Sequence, residues 1–340
     1  MATFAKATYN ATSYAAYRPT YPRQIYDRVL AFHRAGPKPQ WRKHLDIGCG
    51  TGQVTTEPVL LGAFAQTVGA DPSPQMVAQA QKLAKELPDG SKIPKYIAAK
   101  AEQLDVLRDE SVDLVTVGQA AHWFDYTRVW GELARVMAPG GSFAFWGYSE
   151  FRFTKYPSLT PMITHYSQGG SFSPQAKPLG AAARPPPPPD QDEDSVSAFW
   201  QQPGRWLVET HLQHVPQPPH PPFTDVQQVF FTGPHFPQYT AQGREVQPVI
   251  LTKVLDWPGV EAYLRTWSSL HTYQEVRPYD KAKIGVQDGK GSPDGDVVQR
   301  LLWRLRNRIV KETGSSNVEE EVQLEWPLVL IMGRKEGAAD

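Results

Sequence analysis

The sequence predicts an α/β protein built on a mostly parallel sheet, and three observations carry that prediction. The first is a glycine-rich turn after an apolar, strand-like lead-in: His44-Leu45-Asp46-Ile47-Gly48-Cys49-Gly50-Thr51-Gly52. The second is a short strand, Gln66 to Asp71, that ends in an acid. The third is the continuous apolar run Ser111 to Gly118, which suits a central strand covered on both faces. Glycines at a strand-to-helix turn let the backbone adopt open dihedrals and let a ligand approach main-chain atoms closely. Such a turn belongs at the carboxyl end of the first strand of a parallel sheet, where open α/β folds bind nucleotides.

Spacing narrows the nucleotide. The dinucleotide fingerprint Gly-x-Gly-x-x-Gly needs its third glycine at position 53, where this chain has Gln53. The glycine falls one residue early, at Gly52, and an acid, Asp46, precedes the first glycine. This segment resembles motif I of the class I methyltransferases, which bind S-adenosylmethionine (SAM). The resemblance implies a Rossmann-like fold with a seven-stranded, mostly parallel sheet and an antiparallel last strand. It also implies an N-terminal lid and a cap in the C-terminal half. SAM is the cofactor it implies, with Asp46, Gly48, Cys49, Gly50 and Gly52 around the methionine part.

The bounds are broad. The chain has 340 residues, 35 basic and 35 acidic, enough for one elaborated domain or two small ones. Balanced charge argues against a nucleic-acid surface, which depends on phosphate neutralisation. One cysteine excludes an internal disulfide framework and suggests a reducing, cytoplasmic compartment. No apolar run approaches the roughly 18 residues of a membrane span. No leader pattern for secretion is expected.

Taken in order, the chain opens with Tyr9, Tyr14, Tyr17 and Tyr21 around Arg18, with Pro19 and Pro22 forcing an extended exit. This is either a helix whose aromatics cover the sheet or a lid, with Arg18 near a carboxylate. The run Tyr-Arg-Pro-x-Tyr-Pro also resembles the start of the trans-aconitate methyltransferase-like proteins. Tyr26 to His33 reads as a helix, and another is expected from Gln53 to Phe64. Asp71, at the end of the second strand, suits the two ribose hydroxyls of a nucleoside. Pro72, Ser73 and Pro74 start a helix, with Ser73 as cap and Met76 one turn inside. Family resemblance places Pro72, Ser73 and Met76 near the cofactor, and Ala101 and Glu102 at the adenine edge. Glu102 reads equally as an ordinary helix-start acid.

The apolar run ends at Gln119-Ala120-Ala121-His122-Trp123-Phe124, which should face cofactor and acceptor. This run again resembles the trans-aconitate methyltransferase-like enzymes. It implies Gln119 at the methionine moiety and His122 and Trp123 at the acceptor. His122 is either a general base or a histidine that only packs or hydrogen-bonds. Tyr126 to Met137 reads as a helix ended by Pro139-Gly140-Gly141, and Ser142 to Gly147 as the fifth strand.

Beyond residue 150 the composition changes. Arg184 to Asp194 holds five consecutive prolines and then acids, which reads as an exposed linker. His211, His214 and His220 lack a cysteine or spaced carboxylate to complete a ligand set, so no metal is expected. Pro222 to Phe231 fits a sixth strand, Val298 to Thr313 a basic amphipathic helix, and Gln323 to Arg334 a last strand at the sheet edge. Tyr263, Arg265, Trp267 and Ser268 either pack a helix end or cap the acceptor, with Arg265 or Ser268 binding a carboxylate. The Arg-Thr-Trp-Ser run carries that second option by resemblance, as Tyr21 does in the lid.

The organisation read from this is a lid (1–36), a SAM-binding core (37–150), a proline-rich insertion (151–222) and C-terminal strands plus substrate cap (223–340). The function implied is methyl transfer by direct displacement to a small molecule, a carboxylic acid first and a hydroxyl or amine second. A SAM-binding regulatory protein without turnover is the alternative of another class. Nucleic acid and membrane are not expected as partners, and the chain is expected as monomer or homodimer.

Overall fold

The computed structural model describes residues 17–169, 193–202 and 204–337. Tyr9, Tyr14 and the five-proline tract lie outside them. Among the described residues eleven strands follow in order: β1 (Lys43–Ile47), β2 (Gln66–Asp71), β3 (Lys95–Ala98), β4 (Val112–Gly118), β5 (Met137–Tyr148), β6 (Arg152–Phe153), β7 (Phe223–Phe231), β8 (Glu245–Gln247), β9 (Leu251–Asp256), β10 (Glu321–Trp326) and β11 (Leu328–Lys335). The described residues fall into two compact units. One takes in residues up to Pro19, then Ser149–Glu209 and Leu251–Trp326; the other takes Thr20–Tyr148, Thr210–Ile250 and the chain from Pro327 onwards.

The second of these, the sheet unit, carries an eight-stranded sheet in the order β3-β2-β1-β4-β5-β11-β7-β8. β1, β2, β3, β4 and β5 run parallel to one another. Strand order reverses between β1 and β4, so that pair is the switch point where open α/β sheets bind ligands. β4 is buried from Val112 to Val117, as a central strand should be. β11 is antiparallel to both β5 and β7. It therefore lies inside the sheet and not at its edge, and the short β8 adds an eighth strand beside β7.

Helices cover this sheet by the faces their spacing dictates. Arg23–Arg34 buries Ile25, Tyr26, Val29, Leu30, Phe32 and His33. Pro74–Ala84 buries Met76, Val77, Ala80 and Ala84, and the Ser73 hydroxyl accepts from Met76 N at its start. Tyr126–Val136 is capped by Asp125, and its Trp130 stacks on Phe145 with centroids 5.6 Å apart. The expected helix from Gln53 to Phe64 is only Pro58–Ala63, preceded by irregular turns. Glu57, the residue before a proline, is extended (ψ 121°), so the helix starts only at position 58.

The other unit is built around aromatic side chains, and we call it the aromatic unit. Its sheet is β6-β10-β9, antiparallel throughout. Phe151 stands edge-on to Tyr263 and packs near Trp326, and Phe153 stacks on Trp257. The stretch read as a linker from 151 also contains the helices Thr160–Gln168 and Gly204–Glu209. Its acidic end is anchored: Asp194 meets Arg300 at 2.9 Å and Arg304 at 2.6 Å on the helix Val297–Thr313. Among the described residues no helix is long and apolar enough to cross a membrane, and no group of three metal-ligating side chains is placed to hold an ion.

Candidate functional site

The glycine turn sits at the β1–β4 switch point, and its glycines answer to different needs. Gly48 (φ 67°) lies where an added Cβ would come within 2.3 Å of the Ala120 Cβ, so only hydrogen lets the turns after β1 and β4 meet. Gly50 (φ 54°) has nothing within 4 Å of such a Cβ and faces open space. The turn is pinned from β2, because Gly48 N and Cys49 N both donate to Ala70 O. Cys49 itself is buried, and burial pushes its thiol well up.

Asp71 ties this turn to the next helix. Its Oδ2 accepts from Gly50 N at 2.9 Å and its Oδ1 from Ser73 N at 2.8 Å. Burial raises its carboxyl above the usual range, and those two N–H bonds pull the other way. A carboxylate offers about four lone-pair sites, so each oxygen keeps one for a ligand hydroxyl. Ser73 is buried in its cap while Pro72 is exposed.

Asp46 lies deeper, only 1% exposed. It accepts from Thr55 Oγ1 at 2.6 Å and Thr116 Oγ1 at 3.0 Å. Thr116 has one hydroxyl proton and gives it to Asp46. The His44 Nε2 atom lies 2.7 Å from that hydroxyl. Burial pushes His44 down to about 3, so the ring is neutral. Burial also pushes Asp46 up to about 7. Asp46 therefore supports the turn from beneath, which differs from the contact with the methionine part that the motif implies. Thr55, Thr116 and His44 were not singled out in the sequence, although a threonine inside the apolar β4 run was a legible signal.

The turn after β4 is clamped to β5. Gln119 has a left-handed backbone (φ 54°). Its Nε2 donates to Tyr148 O at 2.9 Å, and its Oε1 accepts from Tyr148 N at 2.6 Å. The side chain expected at the methionine moiety is thus committed to the end of β5. A short 3-10 turn, Ala121–Trp123, follows. His122 is half-buried, and its ring lies 4.8 Å from that of Trp123, which is 37% exposed. Glu102 Oε1 accepts from Asp125 N at 2.8 Å, which ties the turn after β3 to the helix start, and Ala101 is buried. Tyr21 packs edge-on against Trp146 at the end of β5.

Residues 45–145, which span this site, match the methyltransferase domain family. The chain is 32% identical over 163 residues to the probable S-adenosylmethionine-dependent methyltransferase CRG1 of Saccharomyces cerevisiae, covering 48% of this chain and 53% of that protein. It is 31% identical over 153 residues to the methyltransferase cfoB of Aspergillus candidus, covering 43% and 46%. The chain spans about half the length of the curated relatives it matches. A structure from Anaeromyxobacter dehalogenans, described as a type II methyltransferase, superposes with a TM-score of 0.59 at 22% identity, covering 94% of this chain and 99% of that one; this shows the fold. Residues 45–145 are thus a methyltransferase domain, and SAM is the cofactor of that domain.

The residues present fit that domain's cofactor. Gly50 leaves a cradle that any Cβ would enter, and Asp71 beside it retains lone pairs for a diol. Tyr96 closes the far side of the turn: a Cβ on Gly52 would meet its hydroxyl at 2.6 Å.

Tyr17, Arg18, Arg265, Trp267 and Ser268 lie in the aromatic unit, outside the methyltransferase domain. Arg18 Nη2 donates to Thr266 O at 3.2 Å, and its guanidinium lies 5.5 Å from the Tyr263 centroid. Tyr17 is exposed beside it. Arg265 bonds Glu261 at 2.6 Å and Asp296 at 2.8 Å, both acids being almost fully buried. Its donors are committed to that triad, and the expectation that it binds an acceptor carboxylate gives way. Trp267 is 2% exposed among Phe151, Tyr166, Trp200 and Tyr263, and the buried Ser268 opens the helix Ser268–Val276. Both are buried.

Proposed function

We propose that this chain is a SAM-dependent methyltransferase acting on a small-molecule acceptor, a carboxylic acid that becomes a methyl ester. The observation that carries the reading is the open cradle at Gly50, joined through its own N–H to Asp71 at the β1–β4 switch point. Gly48, Gly50 and Gly52 would line the methionine part, and Asp71 the ribose hydroxyls. When bound, SAM supplies a methyl group activated on a cationic sulfonium. The chain's own residues then have to bind, align and exclude water more than transfer protons. Carboxylate as acceptor agrees with that, since an ionised oxygen needs no base. His122 and Trp123, on the turn after β4, are the residues we assign to the acceptor. The chain's resemblance to the trans-aconitate methyltransferase-like proteins supports the acid.

Calorimetric titration with SAM and, separately, NAD tests the cofactor. Micromolar-range SAM binding with no NAD binding is the expected result; a folded sample that ignores SAM overturns the proposal. Acids, phenols and amines are then offered with SAM, and products are read by mass. Methyl esters support the acid; methylation of another class alone replaces it. His122→Ala should leave SAM affinity nearly intact and lower turnover, and wild-type turnover would remove His122 from the acceptor site.

A further inference from the structure

Asp46 and Asp71 flank the cofactor turn from β1 and β2, and neither meets a cation. Asp46 is held by the hydroxyls of Thr55 and Thr116, and Asp71 by Gly50 N and Ser73 N. Among the described residues no arginine or lysine forms an ion pair with either acid. The same unit does supply a cation to a buried acid elsewhere: Asp113, near the start of β4, is bonded by Arg42 at 2.6 Å.

The ionisable groups that face Asp46 offer no counter-charge. Tyr26 on the helix Arg23–Arg34, Cys49 on the turn and Tyr96 on β3 are pushed well up by burial, so they stay neutral. His44 of β1, joined to Asp46 through Thr116, is a neutral ring. Asp71 of β2 adds a like charge. A buried carboxylate without a cation is costly in its ionised form. The negative charge around this turn is therefore uncompensated, and the turn has open space at Gly50.

Cofactor and product differ in charge. SAM sets a sulfonium and an ammonium against a single carboxylate and is a net cation. S-adenosylhomocysteine, left after transfer, has a neutral thioether and no net charge. We infer that Asp46 makes the site charge-selective, favouring cationic SAM over its neutral product, and that Asp46 gives up a proton as SAM binds. The inference rests on the methyltransferase reading above and specifies how that site tells cofactor from product. The carboxyl O–H bond of Asp46 breaks, the proton goes to solvent, and the carboxylate keeps its two threonine donors. The attraction acts across the turn without direct contact, because Coulomb energy falls slowly with distance where water is excluded. Its sign follows from linkage. A bound cation lowers the proton affinity of Asp46, so SAM binding tightens as pH rises toward about 7 and levels off above it. Neutral S-adenosylhomocysteine should lack most of that gain.

Calorimetry on the full chain tests this without turnover. Dissociation constants for SAM and for S-adenosylhomocysteine are measured from about pH 5.5 to about pH 8, in wild type and in Asp46→Asn. Titration of the ligands' own amines cancels between the two proteins. The preference for SAM should grow with pH in wild type, by roughly three- to tenfold more than in Asp46→Asn. The same pH course in both, with SAM bound by both, overturns the inference and leaves the methyltransferase reading standing. Should Asp46→Asn fail to fold, wild type alone decides. Titrations at about pH 6.5, where the ligand amines are still charged, are repeated in buffers of different ionisation enthalpy to count the protons released. More release with SAM than with S-adenosylhomocysteine is the expected result, and equal counts overturn the inference. A folded wild type that binds neither ligand sinks both readings.

Discussion

In the sheet unit, Asp46 and Asp71 are buried against hydroxyls and backbone N–H groups; in the aromatic unit, Glu261, Asp280 and Asp296 are buried against arginines. Asp46 is met by Thr55 and Thr116, and Asp71 by Gly50 N and Ser73 N. Arg265 bridges Glu261 and Asp296, and Arg300 bonds Asp280 at 2.7 Å. Neutral donors leave a carboxylate with lone pairs to offer and, through burial, with a proton affinity raised toward neutrality. Cationic donors consume the carboxylate's lone pairs. Acids of the first kind can serve a ligand; those of the second kind hold helices together. Asp296 does both structural jobs at once, since it also accepts from Gln299 N at the start of the helix Val297–Thr313.

The contrast can be broken most severely in the aromatic unit. Arg265→Ala leaves two buried acids without their cation, and breaking a buried pair in this way costs about 3–5 kcal/mol. Urea denaturation should show that loss, with SAM affinity preserved in whatever fraction stays folded. A variant as stable as wild type would mean that the triad is not a structural one.

A smaller effect is expected at Asp71. Asp71→Ala removes two hydrogen bonds of the loop and the ribose acceptors, and should weaken SAM binding by about 1–3 kcal/mol. Unchanged affinity by calorimetry would detach Asp71 from the cofactor. Another effect is one of pH. Burial raises Asp46 to about 7 in the folded chain. Its contribution to stability is therefore full below the unfolded carboxylate range, near 4, and is lost as pH rises through about 7. Asp46→Asn stays neutral throughout. The stability of wild type relative to Asp46→Asn, measured in urea, should therefore fall between pH 5 and pH 8. A rise over that interval would mean that Thr55 and Thr116 hold the ionised form and outweigh burial.

Much of the methyltransferase domain was legible because its signals are local. Gly48, Gly50 and Gly52 mark a turn that only glycine can make, Ser73 caps the helix it precedes, and the Val112–Val117 run is as apolar as a strand covered on both faces must be. The helix after the glycine turn was misjudged, although Pro58 is a local signal of its own. The place of β11 was misjudged for a different reason: an apolar strand reads the same between β5 and β7 as it does at an edge.

Residue order by itself determined the cofactor turn, the acid at the end of β2 and the class of the sheet, because backbone dihedral needs and strand periodicity are written within a few neighbouring positions. Only the tertiary structure decided what the side chains do. It gave Gln119 to Tyr148, Arg265 to Glu261 and Asp296, and Leu212 to Gly147. Those partners lie 29, 4 and 31, and 65 positions away. A side chain's role is set by which donors, acceptors and surfaces reach it first, and distant partners are brought into reach by packing alone.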